Sequence, residues 1–200
     1  MENASESTIK GTGVVAGVAY AEAVWVRPRP ALPTEGSIDP EQASESEYDR
    51  FLAAVDTVAG RLEQRAAAAE GQAAEVLTAT AGMVKDRGWH KAVRKNIRTG
   101  RNAEFATVGA TDKFVTMFEA AGGVMAERTT DLKDVRDRVI AELRGEDEPG
   151  LPLVDGEAVL FADDLAPADT ATLDTKPHGY YRPSAGYPMH RSGRLCVDRY

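Results

Sequence analysis

Three histidines, one cysteine and a set of arginines facing carboxylates are what this chain offers for chemistry. A neutral imidazole near its working pH is a nucleophile and proton acceptor, so His90, His178 and His190 come first. His90 falls on the exposed face of a helix by phase. His178 stands in "KPHGYY" and His190 in "YPMHRSG". Cys196 has no second cysteine to bridge and no CxxC companion for a metal. Asp131 and Asp134 resemble a carboxylate pair for acid–base or metal work, but at i, i+3 beside Lys133 and Arg136 they read as a solvated helix face. Arg128 is suited to holding an oxyanion in a bidentate fork or, more plainly, to pairing with Glu127 or Asp131. Gly11, Gly13 and Gly17 have a loose phosphate-loop spacing, yet they precede a strand instead of opening a helix, which rejects a dinucleotide site.

The elements that must position these groups follow from the period of the apolar residues. Ile9 to Val26 is Val-rich and alternates through Val18, Tyr20, Glu22, Val24 and Val26, which predicts a strand. "RPRPALPTEG" is a proline linker. From Asp39 and Pro40 onward, Phe51, Leu52, Val55, Val58, Ala59 and Leu62 keep helical spacing, and "EGQ" at 70–72 interrupts the run. Val76, Leu77, Thr80, Met83 and Val84 form a second stripe. Trp89, Val93 and Ile97 predict a short helix stopped by Gly100, and Asn102 is a cap for the next, which carries Phe105, Val108, Val115 and Phe118. Leu132, Val135, Val139, Ile140 and Leu143 predict a last helix ending at Gly145. After an acidic linker, the run "EAVLFA" reads as a strand covered on both faces, and Pro167 opens a helix. The expected fold class is α+β: a strand in 1–38, a helical insert over 39–145, a return to the α/β part in 146–174, and an atypical tail over 175–200.

The 200 residues carry 42% hydrophobic side chains and a net charge of -8. That composition fits one soluble domain or two small ones and argues against nucleic acid. No apolar run is long enough to span a bilayer and "MENASEST" lacks a signal peptide's basic start, so no membrane role and a cytoplasmic location are expected. The tail differs from the rest: residues 175–200 set five cations against Asp198 alone and hold four of the six tyrosines. Its interleaved Tyr180, Tyr181, Arg182, Tyr187, Arg191 and Arg194 could stack on a nucleic-acid strand, but without periodicity they read as disorder.

Three stretches resemble Enzyme I of the bacterial sugar phosphotransferase system, the phosphoenolpyruvate-protein phosphotransferase. "GTGVVAGVAYAEAVWV" is similar to the family's opening G-x-x-x-S-P-G-x-A-x-G-x-A, with Val15–Ala16 in place of Ser-Pro. "ERTTDLKDVRDRVIAELRG" resembles E-R-x-x-D-x-x-D-x-x-x-R at Glu127, Arg128, Asp131, Asp134 and Arg138. "EAVLFADDLAPADTATLD" resembles x-V-I-L-V-A-x-D-L-T-P-S-x-T-A-x-L at Val159, Asp164, Leu165, Pro167, Thr170, Ala171 and Leu173.

The resemblance implies a helical-hairpin subdomain inserted into a swivelling phosphohistidine α/β domain, incomplete here. It implies phosphoryl transfer from phosphoenolpyruvate via a histidine to the small carrier HPr, docked on the helical insert. Mg²⁺ and phosphoenolpyruvate belong to a C-terminal barrel, so no cofactor is expected on this chain and no residue is assigned as catalytic or metal-binding. The family's L-G-G-x-T-S-H-x-A-I motif matches neither His178 nor His190, and Thr80 stands where a histidine is usual. The expected carrier groove comprises Val76, Thr80, Met83, Val84 and Arg128. The chain is expected to be a truncated Enzyme I, inactive alone, with a shift of reading frame near Asp174–Pro177 accounting for the tail. The rival reading is a non-enzymatic helical module that binds HPr or a related carrier.

Overall fold

A computed structural model describes residues 20–152, 158–162, 165–171 and 194–196. The described residues fall into two compact units, one helical (28–150 with 166–171) and one built on a sheet (20–27, 151–152, 158–162, 165 and 194–196).

In the helical unit, α1 (Pro40–Ala68) starts where the sequence places it. Asp39 accepts a hydrogen bond from the Glu41 amide at 3.0 Å, and Pro40 occupies the first turn, where a missing N–H costs nothing. Phe51, Val55, Val58 and Leu62 recur at helical spacing and are buried. A two-residue break brings α2 (Gly71–Val84) back against α1, with Leu77, Ala81 and Val84 joining the same core. Next, α3 (Arg87–Arg98) is capped by Asp86, which accepts from Trp89 N at 2.7 Å; its Trp89, Val93 and Ile97 are all buried. Asn102 caps α4 (Ala103–Ala121) through Phe105 N at 2.9 Å. Glu47 of α1 adds a second acceptor there, on the Ala103 amide at 2.8 Å.

A five-residue helix that the apolar pattern does not signal, α5 (Gly123–Glu127), leads into α6 (Thr129–Arg144). Gly145 closes α6 at φ +67°, a left-handed conformation that glycine adopts without a Cβ penalty. This last long helix packs on α1, α2 and α4.

The unit is wider than the expected 39–145. Residues 28–38 belong to it because Ile38 N donates to Gly100 O at 2.9 Å and Asn102 N to Gly36 O at 2.8 Å, while Arg144 Nη1 reaches Ala31 O at 2.6 Å. Residues 166–171 belong to it because α7 (Pro167–Ala171) packs on α2, with Ala168 buried in the helical core.

In the other unit, β1 (Tyr20–Trp25) pairs in parallel with β2 (Ala158–Phe161), Glu22 opposite Ala158 and Trp25 opposite Phe161. β3 (Arg194–Cys196) lies antiparallel on the other side of β1, so the order is β2-β1-β3. Along β2 only Val159 and Phe161 are buried, packed with Ala21 and Ala23. The expectation of a strand covered on both faces is thus corrected to an alternating, half-covered strand. The expected disordered tail lies outside the described residues apart from Arg194–Cys196, which pair as a strand.

Candidate functional site

Helix α2 presents its predicted groove residues unevenly. Val84 is fully buried and Thr80 nearly so, the Thr80 hydroxyl donating to Val76 O at 2.9 Å within the helix. Both therefore belong to the core and cannot line an open groove, which corrects the sequence expectation for them. The reason is the width of the α2 stripe: five apolar or small positions exceed the arc that can stay outside once α1 packs on one side and α6 and α7 on others. Val76 and Met83 are half-buried, with Met83 packed against the core. Arg128 is exposed at the start of α6, 3.8 Å from Asp131.

Just before Arg128 lies a group that the sequence reading passed over. Met117 near the end of α4 is 51% exposed, and Val124 and Met125 on α5 are 71% and 42% exposed. Three large apolar side chains are thus left in water on the elements that lead to the exposed Arg128, and exposed apolar groups of this kind mark interaction surfaces. Their signal in the sequence was the Gly122–Gly123 break, which ends α4 and lets a short helix carry Val124 and Met125 out of the apolar phase of α4.

Helix α6 departs most from expectation. Asp134, Arg136, Asp137 and Arg138 are all buried, so the face read as solvated is an interior charge network. Arg138 is 1% exposed. Its Nε donates to Asp134 Oδ2 at 2.8 Å, its Nη2 to Asp169 Oδ1 at 2.7 Å, and its Nη1 to Glu148 Oε1. Glu148 also accepts both terminal nitrogens of Arg65, at 2.9 and 2.8 Å. Next along the helix, Arg136 Nε donates to Asp137 Oδ1 at 2.8 Å, and Arg29 of the proline segment lies 3.9 Å from Asp137 Oδ2. Charges this deep persist only when paired and hydrogen-bonded.

The electrostatics follow the pairing. Burial works against the Arg138 charge, but Asp134, Asp169 and Glu148 outweigh it and raise its pKa above the usual arginine value. Burial pushes the Asp134 carboxyl up, helped by Asp169 and Asp137 and opposed by Arg138. Glu148 goes the other way: burial would raise it, yet Arg65 and Arg138 hold it below the ordinary glutamate value. Asp131 is pushed up by burial against the pull of Arg128.

His90 is also placed differently from expectation. Its ring meets Phe51 edge-on at 5.4 Å between centroids and sits within hydrogen-bond distance of Val84 O, 2.8 Å from Nε2. With Nε2–H donating to a carbonyl at the end of α2, His90 joins α3 to α2. His178 and His190 lie outside the described residues. Among the described residues, no three His, Cys, Asp or Glu side chains converge to hold a metal ion. No helix among them is long and apolar enough to cross a membrane.

Residues 10–128 match the family model for PEP-utilising enzyme, N-terminal. The chain belongs to this family. Among curated members it is similar to the phosphoenolpyruvate-protein phosphotransferase of Streptomyces coelicolor, 39% identical over 186 residues that make up 92% of this chain and 33% of the relative. It is also similar to the phosphoenolpyruvate-protein phosphotransferase of Bacillus subtilis, 31% identical over 169 residues, or 83% of this chain and 30% of the relative. The chain thus spans about a third of the length of these relatives. A solution structure of an Enzyme I protein superposes with a TM-score of 0.70 at 26% identity, covering 82% of this chain and 68% of that one. The N-terminal domain of a nitrogen Enzyme 1 shares the fold at a TM-score of 0.56 and 21% identity, over 84% of this chain and 70% of that one. The α+β reading and the resemblance to the N-terminal part of Enzyme I therefore stand for this family member.

Proposed function

We propose that this chain is the N-terminal portion of an Enzyme I-type phosphoenolpyruvate-protein phosphotransferase and that its helical unit docks an HPr-like phosphocarrier. The observation that carries the reading is the 39% identity along 92% of the chain to a phosphoenolpyruvate-protein phosphotransferase. The exposed apolar group at the α4–α5 junction supports it, because a carrier helix needs an apolar bed with a charged rim. Within the expected groove, Val76, Met83 and Arg128 keep enough exposure to take part; Met117, Val124 and Met125 are further exposed apolar side chains, on α4 and α5. The role of this portion is docking. Phosphoryl acceptance is not assigned to His178 or His190, neither of which is preceded by the Gly-Gly pair and the Thr-Ser hydroxyls of the family's histidine motif, nor to His90, which stands outside that motif as well. By this reading Mg²⁺ and phosphoenolpyruvate bind to a barrel outside this chain, the chain alone transfers no phosphoryl group, and it works in the cytoplasm beside sugar uptake.

The test is titration of ¹⁵N-labelled chain with unlabelled HPr. Amide shifts should cluster at Met83, Met117, Val124, Met125 and Arg128. Shifts confined to β1 and β2 would refute the docking site. A parallel incubation with labelled phosphoenolpyruvate and a separate barrel domain should leave the chain unlabelled, and label on any of its histidines would overturn the assignment of docking alone.

A further inference from the structure

We propose that Arg138 is the positioning residue that ties α7 to α6 and so holds it against α2, and that α2, with the carrier docking it contributes to through Val76 and Met83, depends on this clamp for its conformation. The docking arm of this proposal rests on the reading in the preceding subsection; the clamp itself does not.

Helix α7 is five residues long, far below the length at which a helix is stable by itself, so something else must hold it. Its own closure is minimal: Asp169 Oδ2 accepts the Ala166 amide at 3.3 Å, reaching back over the first turn. Asp169 Oδ1 is given to Arg138 Nη2 at 2.7 Å, deep inside the unit. Arg138 also grips Glu148, just after α6, and Asp134 on its own helix. One guanidinium thus ties the stretch where the chain leaves the helical unit to the stretch where it returns. Gly150 fits the same knot. Its φ is +104°, and a Cβ there would collide with the Asp169 carboxylate, so the chain at 150 passes against the clamped side chain. From α7, Ala168 enters the core that also contains Leu77 and Ala81 of α2, and Ala171 packs against it. Releasing Asp169 would therefore free the element that backs α2, the helix bearing Val76 and Met83. A guanidinium suits this post because its planar fork serves three acceptors at once, which an ammonium on a flexible stem does less well.

The test uses the full chain with R138M, which keeps volume but removes the donors, R138K, which keeps the charge, and D169N, which weakens a single arm. Hydrogen exchange is read at the Asp169 and Thr170 amides, both bonded to Ala166 O, and at Val93 and Ile97 as a reference. In R138M the α7 amides should exchange at least tenfold faster with the reference amides within twofold, R138K should recover part of the protection, and affinity for HPr should fall about tenfold. If R138M instead accelerates every amide, D169N decides: selective acceleration in α7 upholds the clamp, and uniform or absent acceleration overturns it. Unchanged α7 exchange in R138M overturns it as well. An α7 that loosens while HPr affinity holds overturns the dependence of docking on the clamp. If the wild-type chain fails to bind HPr, the docking reading falls, and the exchange data still judge the clamp.

Discussion

Glu148 answers to two arginines, and that sets the sign of its effect on stability. Its carboxyl is held below the ordinary 4.5 in the folded state because Arg65 and Arg138 outweigh burial. A carboxylate whose folded pKa is depressed contributes stability that is fully present above the unfolded value and is lost as pH falls through the folded one. E148Q should accordingly melt lower than wild type at about pH 7 and converge with it as pH drops well below about 4. Thermal melts across that range check this, and a constant gap would deny the linkage. Asp134 contributes with the opposite sign: its raised pKa makes the folded state bind the proton more tightly than the unfolded chain, so its share of stability falls as pH rises past 3.8. A ¹³C titration of the Asp134 carboxyl should show a midpoint above 3.8. At the same knot, G150A should cost about 1–3 kcal/mol, because alanine meets both a positive φ and the Asp169 carboxylate. A chemical denaturation midpoint within error of wild type would show that the backbone relaxes around the new Cβ.

Caps and periodicity made most helices legible in the sequence. Asp39–Pro40 fixed the start of α1; Asn102 marked α4 and Gly145 the end of α6, each through a local rule that needs no knowledge of the rest of the fold. N102A should therefore cost about 1 kcal/mol, toward the low side of the range for caps, since Glu47 still accepts the Ala103 amide. Urea unfolding measures it, and a loss well above about 2 kcal/mol would mean that Asn102 does more than cap. The candidate site was less legible. Val84 and Thr80 share a stripe with Val76 and Met83, and a stripe alone does not say which of its edges a neighbouring helix covers. The burial of α6 was hidden for a different reason. Asp134 and Arg138 at i, i+4 look like any surface pair, and the residues that draw them inside, Glu148 and Asp169, are brought there by tertiary structure. Helix α5 escaped because five residues carry too little periodicity to register.

At the scale of the molecule, the helical unit is discontinuous in sequence. The chain leaves it after Gly150 and comes back to it at Ala166, and the returning α7 supplies Ala168 to the core and Asp169 to Arg138. An insert that could be cut out at its two ends would be complete at residue 150; this one is not. Without residues 166–171, Arg138 Nη2 loses its carboxylate acceptor and the α2 side of the core loses its cover. A fragment spanning 28–150 should thus melt several degrees below one spanning 28–172, with the difference concentrated in α2 resonances, while α3 and α4, joined by the Trp89–Thr111 hydrogen bond at 3.1 Å, keep theirs. Calorimetry of the two fragments, with ¹⁵N spectra of each, makes the comparison. Equal melting temperatures and superimposable α2 spectra would mean that the helical unit is complete at Gly150 and that α7 merely rests on it.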